Sequence, residues 1–119
     1  MARVLVLTGD LLFGSNLQGA LAAAGHRVEL VPGRAGLAGA LAENAPELVI
    51  VDLTDGALAG AEVFASLSAQ LAGTPGLGFY SHVDPAAREA GEAAGIGLVV
   101  PRSRMAREAA ALVDGVLAG

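Results

Sequence analysis

The sequence contains no cysteine, no lysine and no tryptophan, and aromatic residues make up only 3% of its 119 positions. Without cysteine the chain has neither a disulfide framework nor a cysteine-ligated zinc site. The two histidines, His26 and His82, are far apart in sequence, which argues against a histidine metal site. Hydrophobic residues amount to 54%, mostly alanine and leucine, so we predict one domain over residues 1–119 with an aliphatic core.

Long hydrophobic runs are also missing. No stretch approaches the roughly 20 apolar residues of a membrane helix, and the first apolar run meets polar residues by Thr8, too early for a signal peptide. We therefore expect a cytoplasmic protein that has no membrane partner.

The formal net charge is −5, and all seven basic residues are arginines. An acidic chain with one local basic group is a poor candidate for binding nucleic acid. The group formed by Arg102, Arg104 and Arg107 instead favours a protein partner or a single anion.

The hydrophobic pattern alternates between two periods. Apolar runs of strand length occupy 3–8, 26–31, 47–53, 76–81 and 97–101, and helical spacing occupies 11–24, 34–44, 57–71, 85–94 and 103–117. Asp10, Asp55 and Asp84 precede the first, third and fourth helices and are expected to cap them. Five βα units predict a parallel sheet with helices on both faces. Ligands of such sheets bind beyond the carboxyl ends of the strands.

The stretch LTGDLLFGSN, residues 7–16, suggests a phosphate-binding loop, because four residues separate Gly9 from Gly14. The lysine that a P-loop requires is absent. A dinucleotide fingerprint needs a second glycine where Leu11 stands, although Glu29, 20 residues after Gly9, has the position of a ribose-binding acid. A small nucleotide-binding Rossmann-like module therefore stays open as an alternative.

A Ser-His-Asp triad is not expected from Ser81, His82 and Asp84. Neighbouring residues at a strand end point to opposite sides, and Asp84 is a better helix cap before Pro85. We therefore do not expect an enzyme.

Three stretches, PELVIVDL (46–53), GFYS (78–81) and EAAGIGLVVPRSR (92–104), have the pattern of one family. Through them nearly the whole chain resembles the receiver domain of two-component response regulators, which is CheY-like. The resemblance implies an α/β, flavodoxin-like (βα)5 three-layer sandwich with a parallel sheet in the order 2-1-3-4-5. It also implies a role in phosphorelay signal transduction, in which Asp52 is equivalent to the phosphoacceptor, Ser81 is the hydroxyl residue and Arg102 stands in place of a lysine.

The sequence departs from the family pattern at positions that bind magnesium or respond to phosphorylation in the family. The positions of the acidic pair that holds magnesium in the family are occupied by Thr8 and Gly9. Asp10 stands one residue after the second of these positions. Arginine does not substitute freely for lysine's point charge, and Val99 replaces the aromatic switch residue. We therefore predict a pseudo-receiver without a cofactor. Mg²⁺ would be needed only if phosphorylation of Asp52 persists, which is a second alternative.

The resemblance also predicts a site and its surroundings. Residues expected to form a pocket around Asp52 are Thr8, Gly9, Asp10, Thr54, Ser81 and Arg102. With the acidic pair missing, we expect Asp52 to have no chemical role and to pair instead with Arg102 and backbone amides. Leu12 and Phe13 are expected to dock the first helix on the sheet. Residues expected to face a partner are Val99, Arg104 and Arg107. That partner is a histidine kinase or another signalling protein, or a second copy bound through the fourth helix, fifth strand and fifth helix.

Overall fold

The computed structural model describes residues 2–119, in which strands and helices alternate along the chain. In chain order the elements are β1 (Arg3–Leu7), α1 (Leu11–Ala23), β2 (Arg27–Val31), α2 (Arg34–Glu43), β3 (Leu48–Asp52), α3 (Gly60–Ser66), α4 (Ser68–Leu71), β4 (Gly76–Tyr80), α5 (Pro85–Ala93), β5 (Leu98–Pro101) and α6 (Arg102–Ala118).

All five strands are parallel, and their order is β2-β1-β3-β4-β5. This confirms the predicted flavodoxin-like class. Strands β3 and β4 are buried along their whole length, as expected for strands covered on both faces.

Two aliphatic layers hold the helices on the sheet. Alternate residues of β1 point to opposite faces, so Val4 and Val6 pack with α1 and α6, while Leu5 and Leu7 pack with α2 and α3. Each layer contains a phenylalanine from a helix, Phe13 in the first and Phe64 in the second. The three-layer sandwich is therefore confirmed.

Two of the predicted caps are confirmed. Asp10 Oδ1 accepts a hydrogen bond from the Phe13 amide at 3.0 Å, and Asp84 Oδ1 accepts one from the Ala87 amide at 3.2 Å. Both helices therefore begin close to their predicted starts.

The predicted helix over 57–71 is wrong, because the segment forms two short helices, α3 and α4. Asp55 accepts from the Ala57 amide within a preceding turn, and the residue before α3 is Ala59, whose φ of 53° is left-handed. The left-handed Ala59 explains why α3 starts late, and the division falls at Leu67, whose φ of −105° and ψ of 16° lie outside regular helical geometry.

Two further details differ from expectation. Leu12 does not dock α1 on the sheet, since it is 74% exposed, whereas Phe13 is buried as predicted. Helix α6 begins one residue early, at Arg102, and its backbone leaves helical geometry at Glu108.

Within residues 2–119, every helix is too short or too polar to cross a bilayer.

Candidate functional site

Asp52 ends the central strand β3 with its side chain inside the protein, and the residue is only 1% exposed. Its Oδ2 accepts a hydrogen bond from Thr8 Oγ1 at 2.6 Å. Its Oδ1 accepts two more, from the Thr54 amide at 2.8 Å and from Thr54 Oγ1 at 2.6 Å. Both carboxylate oxygens are thus engaged by threonines, which offsets the cost of burying the group.

The fold brings these threonines to Asp52 by two different routes. Strands β1 and β3 pair with Leu7 beside Val51, so Thr8 and Asp52, the next residue along each, are neighbours. Thr54 is two residues beyond Asp52 and closes an Asx-type turn on it. Thr8, itself 3% exposed, also accepts from the Asp10 amide and so ties Asp52 to the start of α1.

Arg102 does not pair with Asp52. Its Nη2 lies 3.1 Å from Asp10 Oδ2, and its Cζ lies 4.3 Å from the centre of the Phe13 ring. That ring packs against Phe79 of β4, with centroids 4.8 Å apart. The expected pairing with Arg102 is wrong because Arg102, the first residue of α6, lies across Phe13 and contacts the carboxylate that caps α1. The expected bond from a backbone amide is confirmed, since the Thr54 amide donates to Asp52.

A cavity of about 530 Å³ opens at this carboxyl edge of the sheet. Its lining consists of Asp10, Phe13, Thr54, Ser81, His82, Arg102, Ser103 and Ala106. Four predicted pocket residues, Asp10, Thr54, Ser81 and Arg102, therefore do come together.

The two remaining pocket residues lie elsewhere. Thr8 is buried beneath the cavity floor, against Asp52. Gly9 lines a separate depression with Pro32 and Asp55.

The three residues predicted to face a partner have different environments. Val99 is 8% exposed and packs in the core with Leu53 and Ile96, so it is not part of an exposed surface. Strand β5 is covered by α5 on that side, which explains the difference. Arg104 and Arg107 are exposed, and both approach Glu108, at 3.4 Å and 3.6 Å.

The residues present do not fit a magnesium site of the receiver type. Mg²⁺ prefers oxygen ligands, above all carboxylates, in a nearly ideal octahedron. Thr8 and Gly9 stand where the resemblance places the acids, and Asp10 is engaged with Phe13 and Arg102. In the described range 2–119, no group of three or more acidic or histidine side chains is arranged to hold a metal ion.

The features that suggested a nucleotide have structural roles. Glu29 lies two residues before the end of β2 and pairs with Arg3 at 3.4 Å, away from the carboxyl edge. Gly14 is buried in α1, where a Cβ atom would lie 3.0 Å from Thr8 Cγ2. This glycine therefore allows α1 to lie close to the sheet.

Sequence reasoning missed the residues that hold the site together. Phe13 is predicted only as a core residue, yet its ring packs against the Arg102 guanidinium. His82, Ser103 and Ala106 complete the cavity wall. The pairing of Thr8 with Asp52 had a usable signal, because both residues directly follow buried runs that the order of the strands makes adjacent.

Neither a family model nor a curated protein sequence matches the chain. Solved structures do match. A candidate response regulator from Chloroflexus aurantiacus has a TM-score of 0.88 at 20% identity, covering 99% of this chain and 98% of that one. A response regulator from Thermotoga maritima has a TM-score of 0.85 at 15% identity, covering 98% of each chain.

The same fold also matches part of a longer protein. NtrX from Brucella abortus, crystallised with ADP, has a TM-score of 0.76 at 18% identity, and the match covers 97% of this chain but 29% of NtrX. These similarities show that the chain has the fold of response-regulator receiver domains.

Proposed function

We propose that this chain is a receiver-type signalling module that acts by binding a protein partner, without magnesium-dependent phosphorylation of Asp52. The observation that carries the proposal is the state of the Asp52 carboxylate. It is 1% exposed, and Thr8 and Thr54 hold both its oxygens.

The electrostatics around Asp52 support the same conclusion. Phosphoryl transfer to a carboxylate brings two anions together, so its transition state needs a cation at close range. The nearby cation, Arg102, is held by Asp10 and by the Phe13 ring. The two positions that would carry the metal's carboxylates are Thr8 and Gly9.

The surface near the site supports binding of another protein. Leu11, Leu12 and Val83 are 74%, 74% and 75% exposed, and they lie at the start of α1 and in the loop after β4. Exposed apolar residues rimmed by polar ones are typical of interaction surfaces. The proposed partner is a histidine kinase or another signalling protein. A second copy of the chain, bound through α5, β5 and α6 with Arg104 and Arg107, is the homomeric form of the same proposal.

Phosphorylation of Asp52 is tested with acetyl phosphate and Mg²⁺, followed by intact mass and peptide mapping. We expect no hydroxylamine-labile phosphoryl group on Asp52. A labile group that disappears in Asp52→Ala would instead establish the phosphorylatable alternative. A matched gain-of-function variant combines Thr8→Asp with Gly9→Asp, which restores two carboxylates. Mg²⁺ is expected to raise the thermal unfolding midpoint of this variant but not that of the wild-type protein.

Partner binding is tested by photo-crosslinking in cells, with a reactive residue placed at Leu12 or at Arg107. We expect a discrete adduct from at least one position, and an adduct of twice the chain mass identifies a homodimer. The control position is Glu29, which is exposed away from the carboxyl edge. Equal labelling from Glu29, or no adduct from either test position, would contradict the proposal.

A further inference from the structure

Strand β2 forms one open edge of the sheet that residues 2–119 build. The Arg27 amide and the Val31 carbonyl are bonded toward β1, so the odd-numbered residues of β2 direct their backbone groups into the sheet. Val28 and Leu30 therefore direct theirs outward. Among the described residues, these outward groups have one protein partner, Gln18, whose Nε2 donates to the Val28 carbonyl oxygen at 3.0 Å. A carbonyl oxygen has two lone pairs, so it can accept a second hydrogen bond.

Two charged side chains of β2 lie next to this open edge. Arg27 and Glu29 are exposed, and both line a cavity of about 550 Å³ beside the edge. Glu29 Oε1 lies 3.4 Å from Arg3 Nη2. In the part of the chain that the structure describes, neither Glu29 Oε2 nor Arg27 has an ion pair. Charges on an edge strand ordinarily prevent pairing, because like charges that face each other repel.

The spacing of these charges selects one way for two β2 strands to pair. In an antiparallel pair with two-fold symmetry, the axis passes beside Val28, Glu29 or Leu30. An axis beside Glu29 places the two carboxylates opposite each other, which is unfavourable. An axis beside Leu30 places Val28 opposite Pro32, which has no amide hydrogen to donate. An axis beside Val28 places Arg27 of each copy opposite Glu29 of the other, so opposite charges meet twice.

We propose that the β2 edge is an interface between two copies of this chain, paired antiparallel about an axis beside Val28. The two Val28 residues exchange their outward N–H and C=O groups. Arg27 and Glu29 form the closely spaced pairs on either side, and Glu29 then lies between Arg3 of its own chain and Arg27 of the other copy. The same patch of each chain forms the contact, as a two-fold interface requires.

This interface is independent of the proposed function. The homomeric form of that proposal uses β5, which lies at the opposite edge of the sheet. A photoreactive residue at Glu29 removes both ion pairs of the β2 register, so Glu29 remains a control for binding at the carboxyl edge.

The first test traps the register with a disulfide. The chain has no cysteine, so Arg27→Cys and Glu29→Cys each introduce a single thiol. In the proposed register, residues 27 and 29 of different copies have Cα atoms about 4.5 Å apart, which a disulfide can bridge. Two residues 27, or two residues 29, are diagonal neighbours roughly 7–8 Å apart, which is too far. We therefore expect mild oxidation of a mixture of the two variants to give the mixed disulfide well above the proportion from random pairing.

The second test measures self-association of the full chain by analytical ultracentrifugation over a series of concentrations. Arg27→Glu places two carboxylates opposite each other in both pairs, so dimerisation should weaken by about 10-fold or more. An equimolar mixture of Arg27→Glu and Glu29→Arg should associate again, because each chain then presents the charges opposite to those of the other. Arg88→Glu is the matched control, since Arg88 is exposed on α5, which packs on β4 and β5.

Three outcomes would overturn the interface and leave the proposed function intact. The first is a wild-type protein that stays monomeric at every concentration, which would mean that Arg27 and Glu29 only prevent edge pairing. The second is a mixed disulfide no more abundant than random pairing gives. The third is a dimer that Arg88→Glu weakens and Arg27→Glu does not, which would place the contact at the opposite edge. Circular dichroism of each variant, together with recovery in the mixture, separates lost association from lost folding.

Discussion

Arg102 and Phe13 form a stacked pair in which the guanidinium carbon lies 4.3 Å from the centre of the ring. Arg102 also contacts the Asp10 carboxylate, whose Oδ2 lies 3.1 Å from Arg102 Nη2. The first residue of α6 is therefore joined to the cap of α1 across an aromatic ring that itself packs on β4.

The Asp10–Arg102 pair should contribute modestly to stability. Both side chains are nearly half exposed, so we expect a coupling free energy of about 0.5 kcal/mol in a double-mutant cycle of Asp10→Asn and Arg102→Gln. Asp10→Asn is the suitable change because asparagine still caps the helix. Urea unfolding of the four proteins at low and high salt measures this coupling. Coupling that is undiminished at 1 M salt, where screening acts over roughly 3 Å, would contradict an exposed ion pair.

Removing the Thr8 hydroxyl should destabilise the protein by about 1–3 kcal/mol, because Thr8→Val leaves Asp52 Oδ2 buried without that donor. Chemical denaturation followed by circular dichroism gives the difference in the free energy of unfolding. Ser15→Ala is the surface control, expected within about 0.5 kcal/mol of wild type. A Thr8→Val protein as stable as this control would mean that the bond to Asp52 contributes nothing.

Two glycine substitutions of the same kind should have opposite effects. Gly60→Ala would place a Cβ atom 2.5 Å from the Asp52 carbonyl oxygen and 2.9 Å from Val51 Cγ1, so we expect a loss of about 1–3 kcal/mol or more. Gly39→Ala, in an open position of α2, should stabilise the protein by up to about 1 kcal/mol. Thermal unfolding of both variants makes the comparison. Equal changes in both proteins would show that Gly60 is not closely packed.

Ala72 is a position where glycine should be the better residue. It ends α4 with φ of 51° and ψ of 42°, a left-handed conformation that costs an L-residue about 1–2 kcal/mol. Ala72→Gly should therefore raise the free energy of unfolding by up to about 1 kcal/mol. The matched change Ala20→Gly, at an exposed position in the interior of α1, should lower it by about the same amount. A loss of stability in Ala72→Gly would mean that its backbone is not left-handed in solution.

The sequence predicted the fold well because the signals for it are local and repeated. Five apolar runs of strand length alternate with helical spacing, and buried parallel strands produce that pattern. The exception is the segment over 57–71. Its late start depends on the left-handed conformation of Ala59 and its division on the backbone of Leu67, neither of which affects hydrophobic periodicity.

The sequence predicted which residues lie at the candidate site better than it predicted which of them are in contact. Thr54, Ser81, Arg102 and Asp10 share a cavity because strand ends of a parallel sheet meet at one edge. The partner of Arg102 was not predictable in this way, since both Asp10 and Asp52 lie near that edge. The Phe13 ring and the threonines around Asp52 decide between them, and these are tertiary contacts.

The position of β1 between β2 and β3 determines when this strand can be paired on both sides. Residues 3–7 pair with 27–31 on one side, and residues 4–7 pair with 48–51 on the other, although this second partner is more than forty residues away in sequence. During synthesis β1 therefore has no second neighbour until β3 has emerged from the ribosome. Contacts of such sequence separation slow folding relative to a helical bundle of the same length. Until they form, the unpaired backbone edge of β1 is open to pairing with another chain.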